Sequence, residues 1–144
     1  MITALNHTGF VVADLDRSVK FYTDVVGLQV VATRERTGAP ISQIVGYQDS
    51  HLKIVVLGTG QNGHFLELIQ YVHPPSDERP TQERSVLGAT HLALSVDDIQ
   101  ETFQGLISRG ARKLNPPTSV SPGRTACYLQ DPDGNWLELM EVKE

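Results

Sequence analysis

The sequence predicts an α+β fold made of two copies of one module, a strand, a helix and three strands, and three observations predict it. Residues 5–14 (LNHTGFVVAD) and 89–98 (ATHLALSVDD) begin alike, each a short apolar strand with a histidine near its start, followed by acids that open a helix. Residues 65–71 (FLELIQY) and 136–142 (WLELMEV) end alike. These beginnings and ends occur in the same order, which indicates a duplicated module.

In the first copy, Val19, Tyr22, Val25 and Val26 form a helical stripe closed by Gly27. Strands follow near 29–33 and 52–57, and a Gly-rich turn over 58–63 leads into the last strand. The stretch 39–46 fits a short helical turn and a pocket-lining loop equally well. Residues 73–85, with Pro74, Pro75, Pro80 and several charges, form the core of a linker over 73–87. The modules are therefore 1–72 and 88–144, expected to make one compact domain. In the second copy, Asp98 and Glu101 have the spacing of a capping box, Ile99, Phe103, Leu106 and Ile107 form the stripe, and Gly110 closes it. Strands at 125–129 and 136–140 flank residues 131–135 (DPDGN), where Pro and Gly stand as a hairpin turn requires. Asp131 and Asp133 look like an acidic dyad, but in such a turn their local role is turn-making.

A chain of 144 residues, 40% hydrophobic and 20% charged, has the composition of a folded protein with a sizeable core. With a net charge of -5 and scattered basic residues, no cationic stripe is available to follow phosphates, so nucleic acid is excluded as a partner. No charged-plus-apolar leader and no long apolar span is present, which makes a cytoplasmic protein without a membrane partner the simplest expectation. Cys127 has no second cysteine to pair with and reads as an inert strand residue.

Strand alternation sorts the polar residues. Leu92, Leu94 and Val96 share one face, His91, Ala93 and Ser95 the other; Phe10 and Val12 likewise oppose His7 and Gly9. Leu66 and Leu68 bracket Glu67, and Leu137 and Leu139 bracket Glu138. If the modules pair about a pseudo-two-fold axis, two imidazoles and two carboxylates converge. Such a set suits one divalent ion of intermediate hardness, Ni, Zn, Co, Fe or Mn, with open positions for adjacent substrate oxygens. A lone strand histidine is usually a satisfied core or edge residue, and a lone Glu between leucines is usually a solvated face. Those readings would have to hold four times at equivalent positions, so the metal set His7, Glu67, His91 and Glu138 is favoured. His51, His64 and His73 have no counterparts and read as surface or loop residues, His64 being the first exception to consider. Arg124, Tyr128, Tyr71 and Tyr47 are candidates to orient a substrate. Arg124 ranks first because a guanidinium can clamp a carboxylate. Trp136 fits a site wall and an interface equally.

These residues resemble the vicinal oxygen chelate superfamily, which includes glyoxalase I, methylmalonyl-CoA epimerase, extradiol dioxygenases and fosfomycin and bleomycin resistance proteins. The resemblance rests on His7 with residues 14–22 (DLDRSVKFY), on residues 66–68 (LEL), on residues 91–99 (HLALSVDDI), and on residues 131–134 (DPDG) followed by 137–139 (LEL). It implies paired βαβββ modules whose mixed sheets curve around a metal-binding cleft with helices outside, and it puts the same four residues on the ligand positions. A His, Glu, His, Glu set resembles the bacterial glyoxalase I type. Epimerases of the family usually carry glutamine at the position of Glu67, dioxygenases use two histidines and one carboxylate, and bleomycin-binding members lack the ligands.

The implied activity is that of a metal-dependent isomerase, epimerase or lyase. It would chelate vicinal oxygens of a small substrate and move a proton through an enediolate-like intermediate. Glu138 is the leading catalytic base and Glu67 the other candidate. The alternatives are a methylmalonyl-CoA epimerase-like enzyme, an Fe or Mn extradiol-type dioxygenase, and an antibiotic- or metabolite-binding resistance protein. A homodimer is the implied assembly. Two residues that hold glutathione in glyoxalase I fall on Val11 and Tyr71 here, which weighs against glutathione adducts as substrates.

Overall fold

A computed structural model of the chain describes residues 1–60, 63–79 and 83–143. It divides into two compact units, Met1–Arg79 and Pro80–Glu144, with the boundary inside the 73–87 stretch. Residues 61 and 62 of the expected Gly-rich turn, and 80–82 of the expected linker, lie outside the described residues.

The first unit runs β1 (His7–Val11), α1 (Leu15–Lys20), β2 (Gln29–Thr37), α2 (Ala39–Val45), β3 (His51–Gly58) and β4 (Phe65–His73). Its sheet has the order β1-β4-β3-β2, with β1 parallel to β4 and the other pairs antiparallel. The second unit runs β5 (His91–Ser95), α3 (Ile99–Ser108), β6 (Arg112–Lys113), β7 (Thr118–Ser121), β8 (Arg124–Gln130) and β9 (Trp136–Val142). Its sheet follows the same logic, β5-β9-β8-β6 with β7 added on β8, and again only the first and last long strands are parallel. The fold is thus mixed α+β, with each sheet laying its first strand against its last.

The duplication extends to the helix starts. Asp14 accepts the Arg17 backbone N–H at 3.0 Å, and Asp98 accepts that of Glu101 at 2.9 Å, so each helix opens on an aspartate cap. The first N–H of each helix is satisfied from the last strand of its own sheet. Leu15 N–H donates to Gln70 Oε1 at 3.0 Å and Ile99 N–H to Glu141 Oε1 at 3.2 Å. These two acceptors follow Glu67 and Glu138 at the same interval, so capping and site geometry are set by the same two strands.

The helices differ in how they end. Past Lys20 the first widens into a π-helical turn over Phe21–Val25, where Val26 N–H reaches the Phe21 carbonyl at 3.1 Å. The wider turn carries Val25 and Val26 part-way off the core. The buried set becomes Leu15, Ser18, Phe21 and Tyr22, and of the stripe expected at a period of 3.6 only Tyr22 is fully buried. The stretch 39–46 is helical: α2 ends on Gly46, whose φ of +79° only glycine adopts without strain.

The cores lie on the helix side of each sheet. Phe10, Val55, Leu57, Leu66 and Leu68 pack there in the first unit with Leu15 and Tyr22. Cys127, Leu129, Leu137 and Leu139 do so in the second, with Ile99, Phe103 and Leu106 of α3. Burying each such leucine contributes about 1.5–3 kcal/mol. The leucines on either side of Glu67 and Glu138 thereby pin both carboxylates to the opposite face. The turn between β8 and β9 is organised by Asp131, fully buried, which accepts the backbone N–H groups of Asp133 at 2.9 Å and Asn135 at 2.8 Å. Its other oxygen accepts Asn135 Nδ2 at 2.8 Å, so this acid serves the turn. Among the described residues no helix is long and apolar enough to cross a membrane.

Candidate metal centre

Parallel pairing brings each histidine beside a glutamate. In the first unit His7 pairs with Phe65 and Gly9 with Glu67; in the second His91 pairs with Trp136 and Ala93 with Glu138. His7 and Gly9 share a face with Glu67, and so do His91 and Ala93 with Glu138, and the small residues leave room above each carboxylate. His7 Nε2 stands 3.5 Å from Glu67 Oε2, and His91 Nε2 stands 3.1 Å from Glu138 Oε2. The side chains are 44% and 17% exposed in the first pair and 45% and 13% in the second, so the two pairs are equivalent in accessibility as well as in register.

Within each pair the spacing fits two donors on one ion. Imidazole nitrogen and carboxylate oxygen bind divalent zinc-like ions at about 2.0–2.2 Å, which sets neighbouring donors roughly 3.0 Å apart at right angles and roughly 3.4 Å apart in a tetrahedron. The observed separations of 3.1 and 3.5 Å match these values. Each unit taken by itself supplies one imidazole and one carboxylate. Among the described residues no group of three or more His, Cys, Asp or Glu side chains is gathered at one point.

The surroundings of the two pairs differ. His7 Nδ1 lies 2.7 Å from Asn6 Oδ1. An amide oxygen only accepts, so it fixes the proton on Nδ1 and leaves the Nε2 lone pair directed at Glu67. On the second sheet Tyr128 pairs across from Glu138 and its hydroxyl donates to that carboxylate, whereas the residue across from Glu67 is Val56. Burial pushes the Tyr128 phenol above its ordinary range, the Glu138 charge adds to this, and Arg84 opposes it. The His91 ring meets Tyr128 edge to face at 5.3 Å.

The remaining candidates are spread out. Tyr71 shares the Glu67 face of β4 and meets Tyr47 edge to face at 6.1 Å; burial, then Tyr47, raises its phenol. Arg124 opens β8 four residues before Tyr128, about 13 Å along the strand, and is exposed. His64 Nε2 is engaged by Thr8 Oγ1 at 2.7 Å and His51 Nε2 by Glu35 Oε1 at 2.5 Å. A cavity of about 180 Å³ in the second unit is lined by Arg84, Ala89, Thr90, His91, Tyr128 and Trp136, which makes Trp136 a wall of the site. A larger hollow of about 420 Å³, lined by Leu15, Val19, Thr33 and Val55 among others, opens on the helix side of the first sheet, opposite Glu67. Sequence reasoning passed over Asn6 and Arg84. Asn6 adjoins a candidate ligand and was detectable as its support; Arg84 lies in the aperiodic linker, where no pattern marks it.

The family model of the Glyoxalase/Bleomycin resistance protein/Dioxygenase superfamily matches residues 4–139. A lactoylglutathione lyase of Haemophilus influenzae is 30% identical over 139 residues, 95% of this chain and 91% of that protein. A 2-epi-5-epi-valiolone epimerase of Actinomyces sp. is 28% identical over 149 aligned positions, covering 96% of this chain and 79% of that protein. In fold, the crystal structure of a glyoxalase family protein from Bacillus cereus superposes with a TM-score of 0.91 at 21% identity, covering 100% of this chain and 97% of that one.

Proposed function

Because the chain belongs to the Glyoxalase/Bleomycin resistance protein/Dioxygenase superfamily, we propose that it is a divalent-metal-dependent enzyme of the lyase or isomerase type, moving a proton at a carbon beside two neighbouring oxygens of a small substrate. His7, Glu67, His91 and Glu138 hold the ion, the two pairs being drawn from one chain or from two chains of a homodimer. The observation that carries this reading is the repetition of one His–Glu pair, at 3.5 and 3.1 Å, in the same register of both sheets. When bound, the ion supplies Lewis-acid stabilisation of the negative charge that develops on the substrate oxygens.

The chain's own residues do the rest. Glu138 takes the proton from carbon, oriented by the Tyr128 hydroxyl and held to the site face by Leu137 and Leu139. Asn6 keeps His7 in the tautomer that presents a free Nε2. Glu67 is the second proton-transfer group, facing its sheet's site side without a tyrosine opposite it. Two carboxylates, one per unit, also serve an epimerisation, in which one group removes the proton and another returns it to the opposite face; the epimerase relative at 28% identity favours this second reading. The lactoylglutathione lyase relative brings a glutathione adduct into consideration. Val11 offers no hydrogen-bonding group at its position, and we propose a substrate without the glutathione moiety.

Elemental analysis of the purified protein, with His91→Ala as control, tests the metal. Deuterium exchange at the carbon of α-hydroxycarbonyl compounds tests the chemistry. Glu138→Gln is expected to keep its metal and to lose exchange. Full exchange in Glu138→Gln would transfer the role of base to Glu67, and full exchange in Glu67→Gln as well would overturn the proposal.

A further inference from the structure

Arg84 is seated against two aromatic rings. Its guanidinium carbon lies 4.6 Å from the centre of the Tyr128 ring and 5.0 Å from that of Trp136. The two rings meet edge to face at 6.4 Å, so they form a corner against which the guanidinium rests. That corner is one wall of the 180 Å³ cavity whose lining also includes His91. Tyr128 links the parts: its face carries Arg84, its ring stands perpendicular to that of His91, and its hydroxyl reaches Glu138.

The aromatic faces attract the cation without taking up its five N–H donors in charge-assisted hydrogen bonds, so donors remain for an anion. A planar fork of donors beside a small concave site is suited to a carboxylate, which it binds through two parallel charge-assisted hydrogen bonds. The cavity is small, and its lining combines a cation, an imidazole, a threonine and two aromatic rings. It has room for a group of a few heavy atoms next to the His91–Glu138 pair.

We propose that Arg84, seated on Tyr128 and Trp136, is a substrate-binding residue that receives a carboxylate, so that the substrate is a small 2-oxo or 2-hydroxy acid presenting its remaining oxygen toward His91 and Glu138. The inference rests on the reading of His91 and Glu138 as half of the metal centre only for that orientation. Anion binding by Arg84 stands independently of it.

The chain contains one tryptophan, and it is Trp136, so its fluorescence reports this corner alone. Titration of the metal-free protein with pyruvate is expected to change that fluorescence saturably, and methyl pyruvate, which has no carboxylate, is expected to leave it unchanged. Arg84→Gln should weaken pyruvate binding by about tenfold or more, and Arg84→Lys, which keeps the charge without the fork, should recover only part of the loss. Both variants should retain metal as the wild type does, whereas His91→Ala should not. A protein that binds pyruvate through Arg84 but takes up no metal would sink the metal reading and leave this one intact. Equal responses to pyruvate and methyl pyruvate would overturn the assignment of Arg84. So would no saturable response to pyruvate, or an Arg84→Gln variant with a lower melting temperature and unchanged pyruvate binding.

Discussion

The β8–β9 turn can be broken at a single residue, with consequences for both stability and the site. Asp131→Ala removes hydrogen bonds to a fully buried carboxylate, among them those from Asp133 N at 2.9 Å, from Asn135 N at 2.8 Å and from Asn135 Nδ2 at 2.8 Å. Hydrogen bonds to a charged group contribute about 1.5–3 kcal/mol each, which sets a gross loss of roughly 5–9 kcal/mol. A methyl group leaves space through which the freed donors regain water, so the expected net loss is about 3–5 kcal/mol, a fall of roughly 10–15 °C in melting temperature. The turn also fixes the pairing of Tyr128 with Glu138, and a slip of one residue would move Glu138 to the core face. Urea denaturation followed by Trp136, the first residue of β9, measures the stability, and metal content of the folded variant measures the site. A loss below about 1 kcal/mol together with full metal occupancy would refute the claim that Asp131 builds the turn and that the turn holds the site.

Two further outcomes follow from the surroundings of the two pairs. Asn6→Ala frees the His7 tautomer and should weaken metal binding by roughly 10- to 100-fold, read by competition with a chromophoric chelator, while the fold is retained; an unchanged affinity would remove Asn6 from the site. Cys127 is buried, and burial pushes its thiol up to about 11, opposed by a backbone hydrogen bond at Leu139 and aided by the Glu138 charge. The native protein should therefore be unreactive toward a disulfide reagent at neutral pH and react with one equivalent only after unfolding, and rapid native-state labelling would contradict the burial of Cys127 on β8.

How much of this was legible in the sequence depended on whether a residue's role followed from periodicity. The strand–helix module, the aspartate caps and the face of each glutamate follow from alternation and local capping, which act over a few residues, and all appear at the expected positions. The burial of the first helix departed from expectation because one extra residue in a π-helical turn changes the phase, and nothing in residues 14–27 announces that turn. The same limit applies to substrate residues. Arg124 and Arg84 are equally cationic, but a chain crossing with no repeat of its own decides which of them reaches the Tyr128–Trp136 corner.

The two copies have kept the His–Glu pair and diverged around it, and the divergence is directional. Opposite the glutamate stands Val56 in one sheet and Tyr128 in the other; beside the histidine stands Phe65 in one and Trp136 in the other. In the first copy the polar neighbour, Asn6, fixes the imidazole. In the second copy a tyrosine hydroxyl, an indole and a guanidinium are gathered around the pair, and all three can touch a bound molecule. If the two pairs hold one ion as proposed, unequal neighbours around like pairs would suit an asymmetric substrate, recognised from the side of the second copy. On this argument, Trp136→Phe, which makes the second copy resemble the first beside the histidine and leaves the Tyr128–Glu138 hydrogen bond in place, should leave metal content unchanged while weakening pyruvate binding, read by calorimetry. Undiminished pyruvate binding in that variant would show that the asymmetry between the copies has no part in recognition.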